Sequence, residues 1–364
     1  MSDRHPDLVI QALRSPARTL ELPAAGWDVL VRQARRADLL GRIALLLQRD
    51  GLLDRVPAAP RAHLDAAMVL TAAQHLEILR EAAFIEQALA PLYLQPVLLK
   101  GAAYLLSGGA AALGRTFDDI DLLVPKARLP EVEAHLMMGG WVTTHLSPYD
   151  QRYYREWMHE LPPMQHSVRH SVLDVHHAIL PETAHVRPDS ALLLSAARPV
   201  PGHPGWRVLS PEDMLLHSMT HLFHNEELSH GLRDLSDLDL MLRHAAPQPG
   251  FWDALQQRAE ALHLSRALHY GLQMTHRVLA TPVPETVRAL AARHAAPPPV
   301  DALMRSLWAA ALRTPHSSAR QGLTPLAQGV LFVRAHALRM PAGMLLRHLS
   351  VKAWRRHVLR EQGA

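Results

Sequence analysis

The apolar positions of this chain fall into three stretches with different periods. In the first, residues 1–93, Leu64, Met68, Ala72, Leu76, Leu79 and Ala83 recur at steps of three and four. That spacing predicts one buried helix face. An earlier helix is expected from Trp27 to Gln48, stopping near Gly51, since few β-branched residues interrupt it and glycine closes helices.

From residue 94 the pattern changes. Pro96-Val97-Leu98-Leu99 is a short apolar run ending at Lys100-Gly101, and Ile120 to Val124 is another, stopped by Pro125. Runs of this length, closed by glycine or proline, predict strands. Leu129 to Met138 reads as a helix closed by Gly139-Gly140, and Trp141 to His145 as a third strand. Ser167 to His176 alternates as a fourth, with Val168, His170, Val172, Asp174 and His176 on one face. Strands mixed with helices indicate an α/β unit over residues 94–209.

Residues 210–364 return to a helical pattern. Ser210-Pro211-Glu212-Asp213 is a helix start: a serine N-cap, proline at the first position, then acids in the first turn. Pro297, Pro298 and Pro299 must interrupt the helices. A last, basic helix is expected near residues 342–361, carrying Arg347, Lys352, Arg355, Arg356 and Arg360. The fold class is therefore α+β, a small mixed sheet flanked by N-terminal and C-terminal helical regions.

Composition narrows the chemistry. The chain has 364 residues, enough for a large core, and no cysteine, which excludes disulfides, thiolate catalysis and cysteine zinc sites. A reducing cytoplasm fits that usage. No apolar run is long enough for a membrane span, and residues 1–16 do not read as a secretory signal. The formal charge of +4, mostly from arginine, permits an anionic ligand without demanding nucleic acid.

The informative stretch runs from Leu98 to Val124. Asp119-Ile120-Asp121 opens an apolar strand, and the period of two puts both carboxylates on one face. Two acids this close repel unless a cation lies between them. A hard ion such as Mg2+, or Mn2+, accepts oxygen ligands and keeps waters that a phosphate can replace. Asp118 alternates away and reads as a loop acid. Gly101 lets the backbone approach a phosphate, and Lys100 and Arg115 offer positive charge. Asp174 is the candidate third carboxylate, with His176 on its face.

A strand ending in glycine, then Asp-x-Asp on a second strand and a lone acid on a later one, resembles the DNA polymerase beta-like nucleotidyltransferase superfamily. More narrowly, LLKGAAYLL, GRTFDDIDLLV and LDVHHAI, followed by SPEDMLLHSMTHLFH and LRDLSDLDLML, look like an uncharacterised bacterial nucleotidyltransferase family, over roughly residues 40–280. The resemblance implies a catalytic core at 94–209, with Asp119, Asp121 and Asp174 as catalytic and metal-binding residues and Lys100, Gly101 and Arg115 as nucleotide-binding ones. It implies Mg2+ or Mn2+ and a nucleoside triphosphate such as ATP. The acceptor would be a hydroxyl on a small molecule, peptide or protein rather than RNA. One departure is Ala102, where the wider superfamily usually has Gly or Ser, so a hydroxyl contact to phosphate is missing.

Two other readings use the same residues or their neighbours. The chain can be a nucleotide-binding module with this fold and no turnover. Alternatively, His217, His221 and His224 share a helical face, and with Asp234 or Asp237 they would make a phosphohydrolase-type metal site. Arg233 and Asp237 are otherwise expected to tie the C-terminal helices to the core. The basic last helix is expected to be a solvated face, with membrane-surface or nucleic-acid contact the alternative.

Overall fold

Val97–Leu99 forms β1, and all three residues are buried. A strand reads as an unbroken apolar run when both its faces are covered, and β1 lies inside a seven-stranded mixed sheet. The computed structural model describes residues 7–144, 147–224, 227–340 and 343. The other strands are β2 (Ile120–Leu123), β3 (Trp141–Thr143), β4 (Met164–His166), β5 (Val172–His176), β6 (Arg198–Val200) and β7 (His203–Val208). Their order is β3-β4-β5-β2-β1-β7-β6. β1 runs antiparallel to β2 and parallel to β7, and β2 runs parallel to β5.

Helices cover both faces. Before the sheet come α1 (Leu8–Arg14), α2 (Ala24–Arg36), α3 (Leu40–Arg49) and the long α4 (Ala58–Leu89). Between strands lie α5 (Lys100–Leu106), α6 (Leu129–Met138), α7 (Pro148–Trp157) and α8 (Ser190–Ala196). After the sheet come α9 (Pro211–His224), α10 (Gly231–Ala245), α11 (Phe251–Ala261), α12 (Ser265–Leu279), α13 (Glu285–Ala291), α14 (Pro298–Ala311) and α15 (Thr324–Arg339). Side chains alternate across the sheet. Val97, Leu99 and Leu123 join one core with α1 to α3 and α8 to α15. Leu98, Ile120, Leu122 and Leu173 join a second core with the C-terminal half of α4, α5 and α6. Asp121 is in phase with Leu123, so it faces the side that α9 and α10 cover.

Several expectations are met. α6 spans Leu129–Met138 as predicted. Ser210 caps α9 by accepting from the Asp213 amide at 3.2 Å. The triple proline separates α13 from α14, which starts on Pro298.

Others need correcting. The helix expected from Trp27 to Gln48 is two, α2 and α3. Asp38 takes a left-handed φ of 55°, and the Leu39 amide returns to the Ala34 carbonyl at 2.9 Å. This closes α2 with the bonding of a glycine-type C-cap, and aspartate is among the few residues that tolerate it. In α4, Ala72, Leu76 and Ala83 are exposed. The buried stripe is Leu64, Thr71, Ala82, Ile85 and Leu89, because the helix leaves one core and enters the other. Its apolar residues cover several faces, so periodicity alone could not choose among them.

The fourth predicted strand, Ser167 to His176, is a turn followed by β5. β4 turns into β5 through residues 167–171, with His170 at φ 60° and Val168 exposed. No glycine, asparagine or proline marks that turn. The third strand is confirmed over Trp141–Thr143; His145 lies outside the described residues, as do residues 344–364 and with them the predicted basic helix. The β6–β7 hairpin was not anticipated, since Pro199, Gly202 and Pro204 disguise it. Pro199 is tolerated because β6 is an edge strand.

Candidate active site

Asp121 and Asp174 are directly paired across β2 and β5 in parallel register. Their side chains therefore leave the sheet on the same face, and Asp119 enters that face from the residues just before β2. Carboxylate oxygens of Asp119, Asp121 and Asp174 all lie within 4.8 Å of one another. One of them, Asp174 Oδ1, is buried and has no hydrogen-bond partner among the described residues.

The three acids are electrostatically unequal. Burial disfavours the charge on Asp121, but Lys100 and His176 outweigh it and hold the carboxyl well below its usual range. Lys100 Nζ stands 2.7 Å from Asp121 Oδ1, and His176 Nε2 stands 2.9 Å from the same oxygen. Asp119 is pushed up to about 6, first by the charge of Asp121 and then by burial. Asp174 is pushed up to about 7, first by burial and then by Asp121 and Glu160. One ionised carboxylate beside two that resist ionisation is a site short of positive charge.

The residues after β1 supply part of it. Lys100 opens α5 with φ 46°, in the left-handed region that costs a side-chain-bearing residue about 1 kcal/mol or more. That backbone lets its ammonium reach β2. Burial would lower the Lys100 pKa, but Asp121 and Asp119 hold it above its usual value. Gly101 serves packing: a Cβ there would sit 2.6 Å from Phe117 Cδ1, a distance real side chains do not adopt.

Arg115 belongs to a buried network. Its Nε donates to Asp237 Oδ2 at 2.8 Å and its Nη1 to the Thr116 carbonyl at 3.0 Å. Asp237 is shared with Arg42, whose Nη2 lies 2.7 Å from Oδ1. Arg42 in turn donates to the carbonyls of Leu113 and Ala111. Gly114, at φ 62°, permits this approach, since a Cβ there would meet Arg42 backbone at 2.3 Å. Arg233 reaches Asp118 at 3.1 Å. Asp237 and Arg233 thus tie α10 to the loop before β2, as expected.

Lys100, Arg115, Asp119, Ser218 and Arg233 line a pocket of about 300 Å3 beside the acids. Asp119 also lines a second concavity of about 660 Å3, walled by Glu81, Phe84, Arg169 and Ser171. Of the three acids, Asp119 alone lines both hollows.

The histidines of α9 do not gather. His217 is buried, His221 lies 4.0 Å from Asp234 Oδ2, and His224 Nδ1 donates to the Thr220 carbonyl at 3.1 Å. Among the described residues, no cluster of three metal-ligating side chains includes them. Burial, with Lys100 adding to it, pushes His217 down to about 3. Sequence reasoning missed His159, Glu160 and Arg42. Nothing in the period around Glu160 marks it; its bridge to His176 is isolated.

The model of an uncharacterised nucleotidyltransferase family matches residues 23–280, from α2 to just beyond α12. The chain belongs to this uncharacterised nucleotidyltransferase family. The matched span contains the three acids, Lys100-Gly101, Arg115 and the whole of α9 and α10, so the site lies entirely inside the family unit. No curated protein and no solved structure matches the chain. Among the described residues, no helix is long and apolar enough to cross a membrane.

Proposed function

We propose that this nucleotidyltransferase-family protein moves a nucleotidyl group from a nucleoside triphosphate, such as ATP, to a hydroxyl on a small molecule, peptide or protein, in a reaction that depends on Mg2+ or Mn2+. The observation that carries this reading is the convergence of Asp119, Asp121 and Asp174, with one buried Asp174 oxygen unpartnered. Three carboxylates and an orphaned oxygen fit a hard divalent cation, which prefers oxygen ligands.

Asp119, Asp121 and Asp174 would hold the ion, and it would supply the charge that neutralises phosphate oxygens. Lys100 is already charged beside Asp121 and, with Arg115 and Arg233 in the same pocket, offers cations to a triphosphate. Gly101 keeps the start of α5 packed on Phe117, so the Lys100 backbone holds its place. In the transfer, the acceptor oxygen bonds to the α-phosphorus and the bond to the bridging oxygen breaks. Pyrophosphate leaves, and Asp174 takes the proton from the acceptor hydroxyl.

The test is incubation of the full chain with each labelled triphosphate, Mg2+ or Mn2+ and cell extract, alongside Asp174→Asn. Transfer of label by the wild type alone, and only with metal, is the expected result. Calorimetry showing no triphosphate binding with any metal would overturn the proposal.

A further inference from the structure

His176 stands between two carboxylates. Its Nε2 lies 2.9 Å from Asp121 Oδ1, and its Nδ1 lies 3.1 Å from Glu160 Oε2. A carboxylate only accepts, so Asp121 takes the Nε2 proton. The Nδ1–Glu160 contact has room for one positive centre between the two atoms, a second ring proton or a metal ion. One ring nitrogen of His159 completes the group: the ligand atoms of His159, Glu160 and His176 all lie within 4.8 Å of one another. His159 Nδ1 is itself buried with no hydrogen-bond partner among the described residues.

We infer that His159, Glu160 and His176 form a second metal site, one that takes a divalent first-row transition ion such as zinc. Two imidazole nitrogens and one carboxylate oxygen are a donor set for such ions, whereas Mg2+ seeks oxygen alone. The backbone carrying the ligands is held by pairing. Glu160 bridges to His176, the Leu161 amide donates to the Val175 carbonyl at 2.9 Å, and the His177 amide donates to the His159 carbonyl at 2.8 Å. The Asp121–His176 contact has the form of a carboxylate orienting a ligating imidazole through its other nitrogen. Side-chain exposures of 14% for His159 and 16% for Glu160 leave an opening for the ion and for a fourth ligand.

This site is separate from the three aspartates. The imidazole ring of His176 lies between the two, whereas paired catalytic ions sit about 4 Å apart and share ligands. Its ion would not touch the reacting phosphate. It would strengthen the hydrogen bond from His176 to Asp121 and so position that carboxylate. Glu160 and His159 are positioning residues in this sense.

The test uses the full chain, freed of metal with chelator and then titrated with Co2+ in saturating Mg2+, which occupies the carboxylate site. We expect one Co2+ per chain with visible absorption bands, displaced by Zn2+. His159→Gln and Glu160→Gln should each weaken Co2+ binding at least about tenfold, while Asp174→Asn leaves it unchanged. Circular dichroism checks that the variants fold. X-ray absorption of the zinc-loaded wild type needs no variant and should count two imidazoles. Absence of Co2+ binding would mean that a proton fills the position and would overturn the inference. So would bands that survive His159→Gln, bands lost in Asp174→Asn, or a zinc shell with no imidazole.

Discussion

Lys100 and Asp121 form an ion pair at 2.7 Å in which the aspartate is almost wholly buried. The lysine reaches it from a left-handed backbone at the first residue after β1. The pair keeps Asp121 ionised while its neighbours Asp119 and Asp174 resist ionisation. It also stands in for part of the positive charge that the three acids require.

Breaking this pair from one side should be costly. Lys100→Met leaves Asp121 buried with His176 as its remaining partner, and we expect a loss of about 3 kcal/mol in the metal-free protein. Asp121→Asn in the same background should recover at least about 1 kcal/mol of the summed single losses. Urea unfolding of the four proteins in chelator measures this; strictly additive losses would contradict the pairing.

The pH dependence follows from Asp119 and Asp174. Their folded-state values of about 6 and about 7 lie above the ordinary 3.8. The folded chain therefore holds more protons than the unfolded chain between about pH 4 and 7, and their contribution to stability falls as pH rises through that window. His217 and His221, held low by burial and then by Lys100, act oppositely below about pH 6.5. The informative quantity is thus the wild-type stability minus that of Asp174→Asn, which should decline from pH 5 to 8 without metal. Mn2+ affinity should rise with pH and level off above about 7, because the ion displaces the protons. Thermal denaturation and calorimetry across pH check both; a difference that grows with pH would contradict the assignment.

Gly101 is needed for space more than for conformational freedom. Gly101→Ala should destabilise by about 1–3 kcal/mol, because its Cβ drives Phe117 out of place. Phe117→Leu should rescue part of that loss. If glycine served only backbone freedom, the second change would add a further loss, and denaturant unfolding of the double variant distinguishes the two.

Much of the site was legible in the chain. The period of two placed Asp119 and Asp121 on one face, and Lys100-Gly101 followed an apolar run that proved to be β1. Asp174 was legible as a strand acid, although its strand is shorter than the alternation suggested. The turn at His170 carries no turn residue, and the β6–β7 hairpin carries Pro199, which its edge strand tolerates. Local chemistry misled at both places, because strand pairing outweighed it.

The sequence by itself determined the α+β class, the strand faces and the acid pair, because these follow from backbone periods that any local segment obeys. Tertiary structure alone decided the parallel register that sets Asp174 beside Asp121, since register depends on which strands meet. It decided that Arg115 shares Asp237 with Arg42, three residues drawn from distant parts of the chain. It also decided which face of α4 is buried, and it brought Glu160 to His176. Such contacts join side chains with no common period, and only the packing of helices and sheet around two cores brings them within reach.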